Sequence, residues 1–207
     1  MTKVNGTPRH ITIPEGVDRP ALEAVLSDRS GAPAIVAPPH PRYGGSIEVP
    51  VVQAVFRALV DGGTMPLAFN WRGVGASEGR VSDELDDAVE DYAAACDFVA
   101  GADRRLLAAG YSWGAAAALR VAAARVDVSR LVLVAPPLTM IPTLPIREVR
   151  HPMLILVGSA DCYAPYEQLQ KLVAGNGSAR LEVIDGADHF FALDGVAQVE
   201  ARIAAYL

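Results

Sequence analysis

The stretch that decides the fold runs from residue 106 to residue 124 and reads LLAAGYSWGAAAALRVAAA. Its apolar first part predicts a strand over residues 106–109, and its alanine-rich part predicts a helix over residues 113–124. Between them stands Gly-Tyr-Ser-Trp-Gly, a Gly-x-Ser-x-Gly pentapeptide with Ser112 at its centre. A strand–turn–helix of this kind holds the serine in a strained turn that lifts its hydroxyl above the sheet. The stretch therefore predicts a nucleophilic Ser112, and the alternative is a tight turn with a capping serine.

Apolar runs alternate with helical patterns on both sides of this stretch. Further strands are predicted over residues 11–13, 21–26, 34–37, 65–70, 131–135, 153–157 and 181–184. Further helices are predicted over residues 50–61, from Ser82 as the N-cap to Val99, and over residues 165–174 and 193–207. Continuous apolar strands separated by helices indicate an α/β fold, with a mostly parallel sheet of about eight strands and helices on both faces. Right-handed crossovers bring the carboxyl ends of the strands to one edge, where ligands bind.

Composition and charge narrow the class of protein. The 207 residues are 51% hydrophobic and 20% charged, which fits one globular domain over residues 1–207. The net charge of −6 and the lack of a basic cluster argue against a nucleic-acid partner. No apolar run approaches the roughly 18 residues that a membrane helix needs. Because residues 1–10 are polar and contain no signal-like apolar segment, we expect a cytoplasmic protein.

Two residues late in the chain are predicted to complete a catalytic triad with Ser112. His189 follows the predicted strand 181–184 and can take the serine proton, because a serine hydroxyl is too weak an acid to react unaided. Asp161 follows the strand 153–157 and can fix the tautomer of the imidazole. The alternatives are a histidine on a surface loop and a carboxylate at a helix start. Asp188, beside the histidine, would need a tight bend to reach the far ring nitrogen.

Two backbone N–H groups are needed to stabilise the oxyanion that forms during acyl transfer. We expect one from Trp113, the residue after the nucleophile. The second is expected from the turn after strand 34–37, where Pro41 has no N–H to donate. Arg42 is the first choice and Tyr43 the second. His40 is predicted to brace this turn instead of binding a metal, because no second ligand stands at a suitable spacing.

Residues 72–79 form a glycine-rich loop after a strand and could be taken for a dinucleotide-binding loop. That motif needs a glycine at position 78, where Glu78 stands, so we interpret the loop as a structural turn. With no phosphate-binding loop and no metal-ligand spacing, neither a cofactor nor a metal is expected.

Taken together, these motifs resemble the α/β-hydrolase superfamily, and in particular its small lid-less bacterial serine hydrolases. The resemblance rests on a His-Pro-x-x-Gly-Gly-Ser turn, an Arg-Gly-x-Gly-x-Ser-x-Gly turn, the Gly-Tyr-Ser-x-Gly elbow and a late Ala-Asp-His-Phe-Phe, which lie here at residues 40–46, 72–79, 110–114 and 187–191. It covers nearly the whole chain and implies the α/β-hydrolase fold. Members of this group are often esterases or dienelactone-hydrolase-like proteins, and the likeness does not fix the substrate.

The connection over residues 138–150 is too short for a multi-helix cap, so we expect an open site with no cap domain. Its apolar side chains contact the core, a second subunit in a homodimer, or the substrate. Met140, Ile141 and Leu144 are the candidate substrate-binding residues. The expected reaction is hydrolysis of a small-molecule ester or thioester through an acyl-serine. The alternatives are acyl transfer, C–C cleavage or cyclisation by the same triad, or a non-catalytic ligand-binding member of the fold.

Overall fold

The computed structural model describes residues 8–17, 19–100 and 105–207. Its strands are β1 (Arg9–Ile13), β2 (Leu22–Leu26), β3 (Pro33–Ala37), β4 (Met65–Phe69), β5 (Leu106–Tyr111), β6 (Val128–Val134), β7 (Met153–Gly158) and β8 (Ala179–Ile184). Its helices are α1 (Pro50–Asp61), α2 (Leu85–Val99), α3 (Trp113–Ala124), α4 (Tyr166–Val173) and α5 (Gly195–Tyr206), with a short 3₁₀ turn at Pro41–Tyr43. In the described ranges, none of these helices is both long and apolar enough to cross a bilayer.

The eight strands form one sheet in the order β1-β2-β4-β3-β5-β6-β7-β8. β2 pairs antiparallel with β1 and with β4, and all the other pairs are parallel. The central strands β3 and β5 are buried along their whole length, because both sheet faces are covered by helices. α1 packs against α5, and α2 packs against α3. The mostly parallel sheet of about eight strands that the sequence predicts is confirmed, and its carboxyl edge is the place to look for a site.

Several element boundaries differ from the prediction for local reasons. Ser82 does not cap α2, because the side-chain oxygen of Ser82 accepts the N–H of Glu84 at 3.1 Å in a turn before the helix. Glu84 is the N-cap, and its side chain makes no capping hydrogen bond. The last helix begins at Gly195 and not at Leu193, since Leu193 has φ = 60°, which a helix does not allow.

The connection between β6 and β7 contains turns and no helix, and most of its large apolar side chains face inward. The buried ones are Leu138, Ile141, Leu144, Ile146 and Val149. Asn176 holds this segment in place, because its side-chain amide donates to the carbonyls of Ile146 and Val149 at 2.7 and 2.9 Å. This connection therefore contributes to the core and leaves the carboxyl edge of the sheet uncovered by a helical cap.

Candidate active site

Ser112 stands in the sharp turn between β5 and α3, with φ = 54° and ψ = −115°. This conformation is strained for any residue with a side chain, and it holds when the surrounding structure enforces it. A Cβ atom on Gly110 would overlap the carbonyl oxygen of Gly114, and one on Gly114 would overlap the carbonyl oxygen of Ala37. The N–H of Ser112 donates to the carbonyl of Val134 at 2.8 Å. The two glycines of the pentapeptide therefore let the strand and the helix meet closely enough to fix the serine.

His189 and Asp161 approach Ser112 from the loops after β8 and β7. His189 Nε2 lies 2.9 Å from Ser112 Oγ, and His189 Nδ1 lies 2.8 Å from Asp161 Oδ2. All three residues are buried. The other carboxylate oxygen of Asp161 accepts the N–H groups of Tyr163 and Ala164 at 2.8 and 2.9 Å. Because the carboxylate only accepts, Nδ1 carries the imidazole proton and Nε2 is free to accept from the serine.

The neighbouring carboxylates have other partners. Asp188 Oδ1 accepts the N–H groups of Phe190 and Ala192 at 3.1 and 3.4 Å and so closes the turn that carries His189. Asp185 accepts the hydroxyl of Ser159 at 3.2 Å. Among the described aspartates and glutamates near His189, Asp161 is the one whose carboxylate contacts the ring.

Tyr111, the residue before the serine, is a part of the site that the sequence reasoning missed. Its hydroxyl donates to the main-chain carbonyl of His189 at 2.8 Å, and the two rings lie 5.7 Å apart. Burial raises the pKa of Tyr111, so the hydroxyl stays protonated and remains a donor. The signal for it was its place at the carboxyl end of β5, where a polar group on a buried strand needs a partner. Tyr111 ties the histidine loop to the nucleophile strand.

The predicted oxyanion donors differ in whether their backbone N–H groups already have an acceptor. The N–H of Trp113 is the first of α3 and has no acceptor in the described part of the chain, so it is free for an oxyanion. The N–H of Tyr43 donates to the carbonyl of His40 at 3.1 Å and is closed within the 3₁₀ turn. Tyr43 is therefore not available as a backbone donor, contrary to its place as second choice.

Arg42 remains the candidate for the second donor, although its N–H already has a weak partner. That N–H points at Nδ1 of His40 over a long 3.3 Å. Burial lowers the pKa of His40, which favours the neutral ring that can accept at Nδ1. The ring of His40 also lies 4.5 Å from that of Trp113. His40 thus braces the turn as predicted, and an oxyanion would compete with its ring for the Arg42 N–H.

A network of polar side chains below this turn also escaped the sequence reasoning. Asn70, directly after β4, accepts the N–H of Ile47 at 2.9 Å and donates to Glu23 at 2.8 Å. Ser77, within the glycine-rich loop 72–79, donates to the carbonyl of Asn70 at 3.0 Å and accepts the N–H of Glu23. The loop 72–79 therefore has hydrogen-bond partners within the fold. Through Asn70 it supports the segment that follows the turn at residues 40–46, as expected of a structural loop.

Ser112 and His189 open into a cleft of about 610 Å³, and Asp161 lies behind His189 outside its lining. Its lining residues are Pro39, His40, Tyr43, Val49, Tyr111, Ser112, Met140, Tyr163, His189 and Phe190. Met140 is the predicted substrate residue that lines it. Ile141 and Leu144 are buried in the hydrophobic core instead, where their large apolar side chains are removed from water. Within the described residues, no group of three or more His, Cys, Asp or Glu side chains is arranged to hold a metal ion.

Comparison with known proteins gives consistent matches. Residues 44–149 match the family model Hydrolase_4, described as serine aminopeptidase S33. The uncharacterized protein RP471 of Rickettsia prowazekii is 30% identical, over 76% of this chain and 71% of its own. A solved α/β serine hydrolase homologue from Coxiella burnetii is 29% identical, with a TM-score of 0.86 over 100% of this chain and 98% of its own. The α/β serine hydrolase without lid XC6422 of Xanthomonas campestris is 25% identical, with a TM-score of 0.80 over 99% and 94%.

Proposed function

Because the chain belongs to the α/β serine hydrolase family, we propose that it cleaves a carboxylic ester or thioester through an acyl-serine intermediate. The observation that carries the proposal is the continuous hydrogen-bonded line from Ser112 Oγ to His189 and on to Asp161, with contacts of 2.9 and 2.8 Å. These distances lie within the range over which a general base can take the proton of a nucleophile.

In the first half of the reaction, Ser112 Oγ attacks the carbonyl carbon while its proton moves to Nε2 of His189. The carbonyl oxygen becomes an oxyanion, and we expect the free N–H of Trp113 at the start of α3 to stabilise it. Asp161 stabilises the imidazolium through Nδ1. When the tetrahedral intermediate collapses, the Nε2 proton passes to the leaving oxygen or sulfur, and the acyl group remains on Ser112.

In the second half, water replaces the leaving group. His189 takes a proton from the water as the hydroxide attacks the acyl carbon, and it returns that proton to Ser112 Oγ when the acid leaves. The triad side chains that this cycle uses already lie within hydrogen-bond distance of one another. Tyr111 supports the cycle from behind by holding the backbone of His189.

Aminopeptidase activity is the second candidate, because the matching family model is described by it. An aminopeptidase must bind the ammonium group of its substrate, and a carboxylate in the cleft is the usual partner for such a cation. Among the described residues that line the cleft, none is an aspartate or a glutamate. Asp161 already accepts three hydrogen bonds behind His189. The lining therefore favours ester or thioester hydrolysis over aminopeptidase activity.

The test uses a fluorophosphonate, which phosphonylates an activated serine. We expect one adduct per chain, mapped by mass spectrometry to Ser112, and no adduct on Ser112→Ala. Turnover is then compared between 4-nitrophenyl butyrate, a butyryl thioester and leucine 4-nitroanilide. We expect hydrolysis of the ester or the thioester and not of the anilide. An unlabelled serine, or cleavage of the anilide alone, would contradict the proposed function.

A further inference from the structure

The large apolar side chains that face solvent are concentrated at the cleft. Those exposed within the described residues are Val17, Tyr43, Phe98, Val126, Met140, Tyr163, Phe190 and Leu193. Half of this set, namely Tyr43, Met140, Tyr163 and Phe190, lines the cleft that holds Ser112. Scattered exposed apolar residues need no explanation, but a group of them around a cavity marks a surface that a ligand covers.

Two of these rings flank the catalytic histidine. The ring of Tyr163 lies 4.8 Å from that of His189 at an angle of 53°, and the ring of Phe190 lies 5.7 Å away at 86°. Their backbones are anchored, because the N–H of Tyr163 donates to Asp161 and that of Phe190 donates to Asp188. Both side chains are therefore presented to the cleft from fixed positions, with 40% and 65% of their surface exposed.

The mechanism decides which part of the substrate meets these rings. The leaving-group atom must receive its proton from Nε2 of His189, so it stands within hydrogen-bond distance of that ring. The carbonyl oxygen lies on the other side, towards the N–H of Trp113. The substituent on the leaving group is consequently the part that passes beside Tyr163 and Phe190.

The charge of the cleft restricts the substituent further. Of the described residues that line the cleft, none is an aspartate, glutamate, lysine or arginine. Arg42, which precedes the lining residue Tyr43, is held in an ion pair with Asp83. A leaving group that carries phosphates, as a coenzyme thiol does, would find no cation free to bind it among these residues. The lining suits an uncharged group with a flat apolar surface, since aromatic rings pack on one another in offset or edge-to-face contacts.

Resting on the proposed function, we propose that the substrate is an uncharged ester whose leaving group is an aromatic alcohol, and that the rings of Tyr163 and Phe190 bind that group. The proposal assigns leaving-group specificity to two residues outside the triad. It also selects an oxygen ester over a thioester of a phosphorylated carrier.

The experiment compares kcat/KM for benzyl acetate, cyclohexylmethyl acetate, ethyl acetate and ethyl phenylacetate. Benzyl, cyclohexylmethyl and ethyl alcohols leave with similar ease, so differences in rate report binding. We expect benzyl acetate to exceed ethyl acetate by about tenfold or more and to exceed cyclohexylmethyl acetate by about threefold or more. Ethyl phenylacetate, whose ring lies on the acyl side, should gain less than benzyl acetate.

The variants locate the effect. Tyr163→Ala and Phe190→Ala should each lower the ratio of kcat/KM for benzyl acetate to kcat/KM for ethyl acetate by about 3- to 10-fold. Tyr163→Phe, which keeps the ring, should retain the preference. Phe98→Ala, which removes an exposed ring of α2 outside the cleft, is the matched control and should change neither substrate.

A second measurement does not depend on turnover. Ser112→Ala should bind benzyl alcohol more tightly than cyclohexylmethanol, as measured by titration calorimetry, and Phe190→Ala in that background should remove the difference. Equal rates for benzyl and ethyl acetates in an enzyme that is labelled at Ser112 would overturn this inference and leave the proposed function intact. A larger gain for ethyl phenylacetate than for benzyl acetate would also overturn it. An unlabelled Ser112 and no turnover of any ester would instead refute the proposed function.

Discussion

Replacing Asp161 by asparagine exchanges one carboxylate oxygen for an amide NH2 group. It is the most direct test of the hydrogen bonds that join Asp161, His189 and Ser112. In the native chain, one oxygen of Asp161 accepts the N–H groups of Tyr163 and Ala164, and the other contacts Nδ1 of His189. The introduced asparagine would keep its single carbonyl oxygen on the two backbone donors, because turning it away would leave both of them unpaired in a buried site. Its amide group would then face Nδ1, and it can only donate there.

The expected loss follows from this reversal. A donor opposite Nδ1 stabilises the tautomer that carries its proton on Nε2, and that nitrogen can then no longer take the proton of Ser112. The same change in a serine-protease triad lowers kcat about 10⁴-fold, which corresponds to about 5 kcal/mol in the activation free energy. Because every backbone donor keeps an acceptor, the free energy of unfolding should fall by much less, about 1–2 kcal/mol.

The assay measures kcat/KM on benzyl acetate and on 4-nitrophenyl butyrate, together with the thermal midpoint of each variant. Asp188→Asn is the matched control, since Asp188 accepts two backbone N–H groups of its own loop and an asparagine oxygen can do the same. We expect Asp188→Asn to stay within a few fold of the native rate. A folded Asp161→Asn enzyme that keeps a tenth of the native activity would refute this account. An Asp188→Asn control that loses as much activity as Asp161→Asn would also refute it.

Three further predictions concern stability and reactivity. Ser112→Ala should lower ester turnover about 10³-fold or more, and Ser112→Gly should be equally inactive. Because glycine relieves the positive φ at position 112, Ser112→Gly should melt at a higher temperature than Ser112→Ala. Equal thermal midpoints for the two variants would contradict the strain. Ile141→Asp should lower the free energy of unfolding by roughly 3 kcal/mol or more, because Ile141 is in the core. Met140→Asp should change it by no more than about 0.5 kcal/mol, because Met140 is exposed. Denaturant unfolding of both variants measures the difference. Burial raises the pKa of Cys96 to about 12, so Cys96 should not react with an aromatic disulfide reagent at pH 8 in the native protein. The reagent should titrate one thiol, the exposed Cys162, and a second thiol only after unfolding. Two rapidly reacting thiols in the native protein would disprove this prediction.

The sheet and the triad could be predicted because their signals are local. A buried strand shows itself as an apolar run, and Ser112 and Asp161 follow the buried strands β5 and β7. His189 follows β8, a half-buried strand that ends at the same edge of the sheet. The predicted α/β-hydrolase fold is confirmed by the family match and by the similar solved structures. The lack of a cap domain agrees with the relative that is itself described as lid-less.

The remaining parts of the site depend on side-chain partners that are distant in sequence. The sequence could not show that the N–H of Tyr43 is taken by His40, because a 3₁₀ turn and an open loop have the same composition here. It marked Ile141 and Leu144 as apolar but not which way the connection turns them. Tyr111 contacts a carbonyl that lies 78 positions further along the chain, so its role became visible only once the strands were assembled.

Backbone strain gives an independent reason to regard this site as catalytic and not merely as a binding cleft. Within the described residues, the non-glycine residues with positive φ are Ser112, Ala135, Phe191 and Leu193. Ser112 follows β5, Ala135 follows β6, and the other two lie in the loop of His189, so all four lie in loops at the carboxyl edge of the sheet. Each such residue costs about 1–3 kcal/mol, and a glycine would remove that cost wherever the side chain is not needed. At position 112 the glycine would remove only a hydroxymethyl group, and that group is the one that His189 contacts. A hydrolase that forms an acyl-serine needs that hydroxyl as its nucleophile, which gives a reason for the strained conformation to be kept at this position.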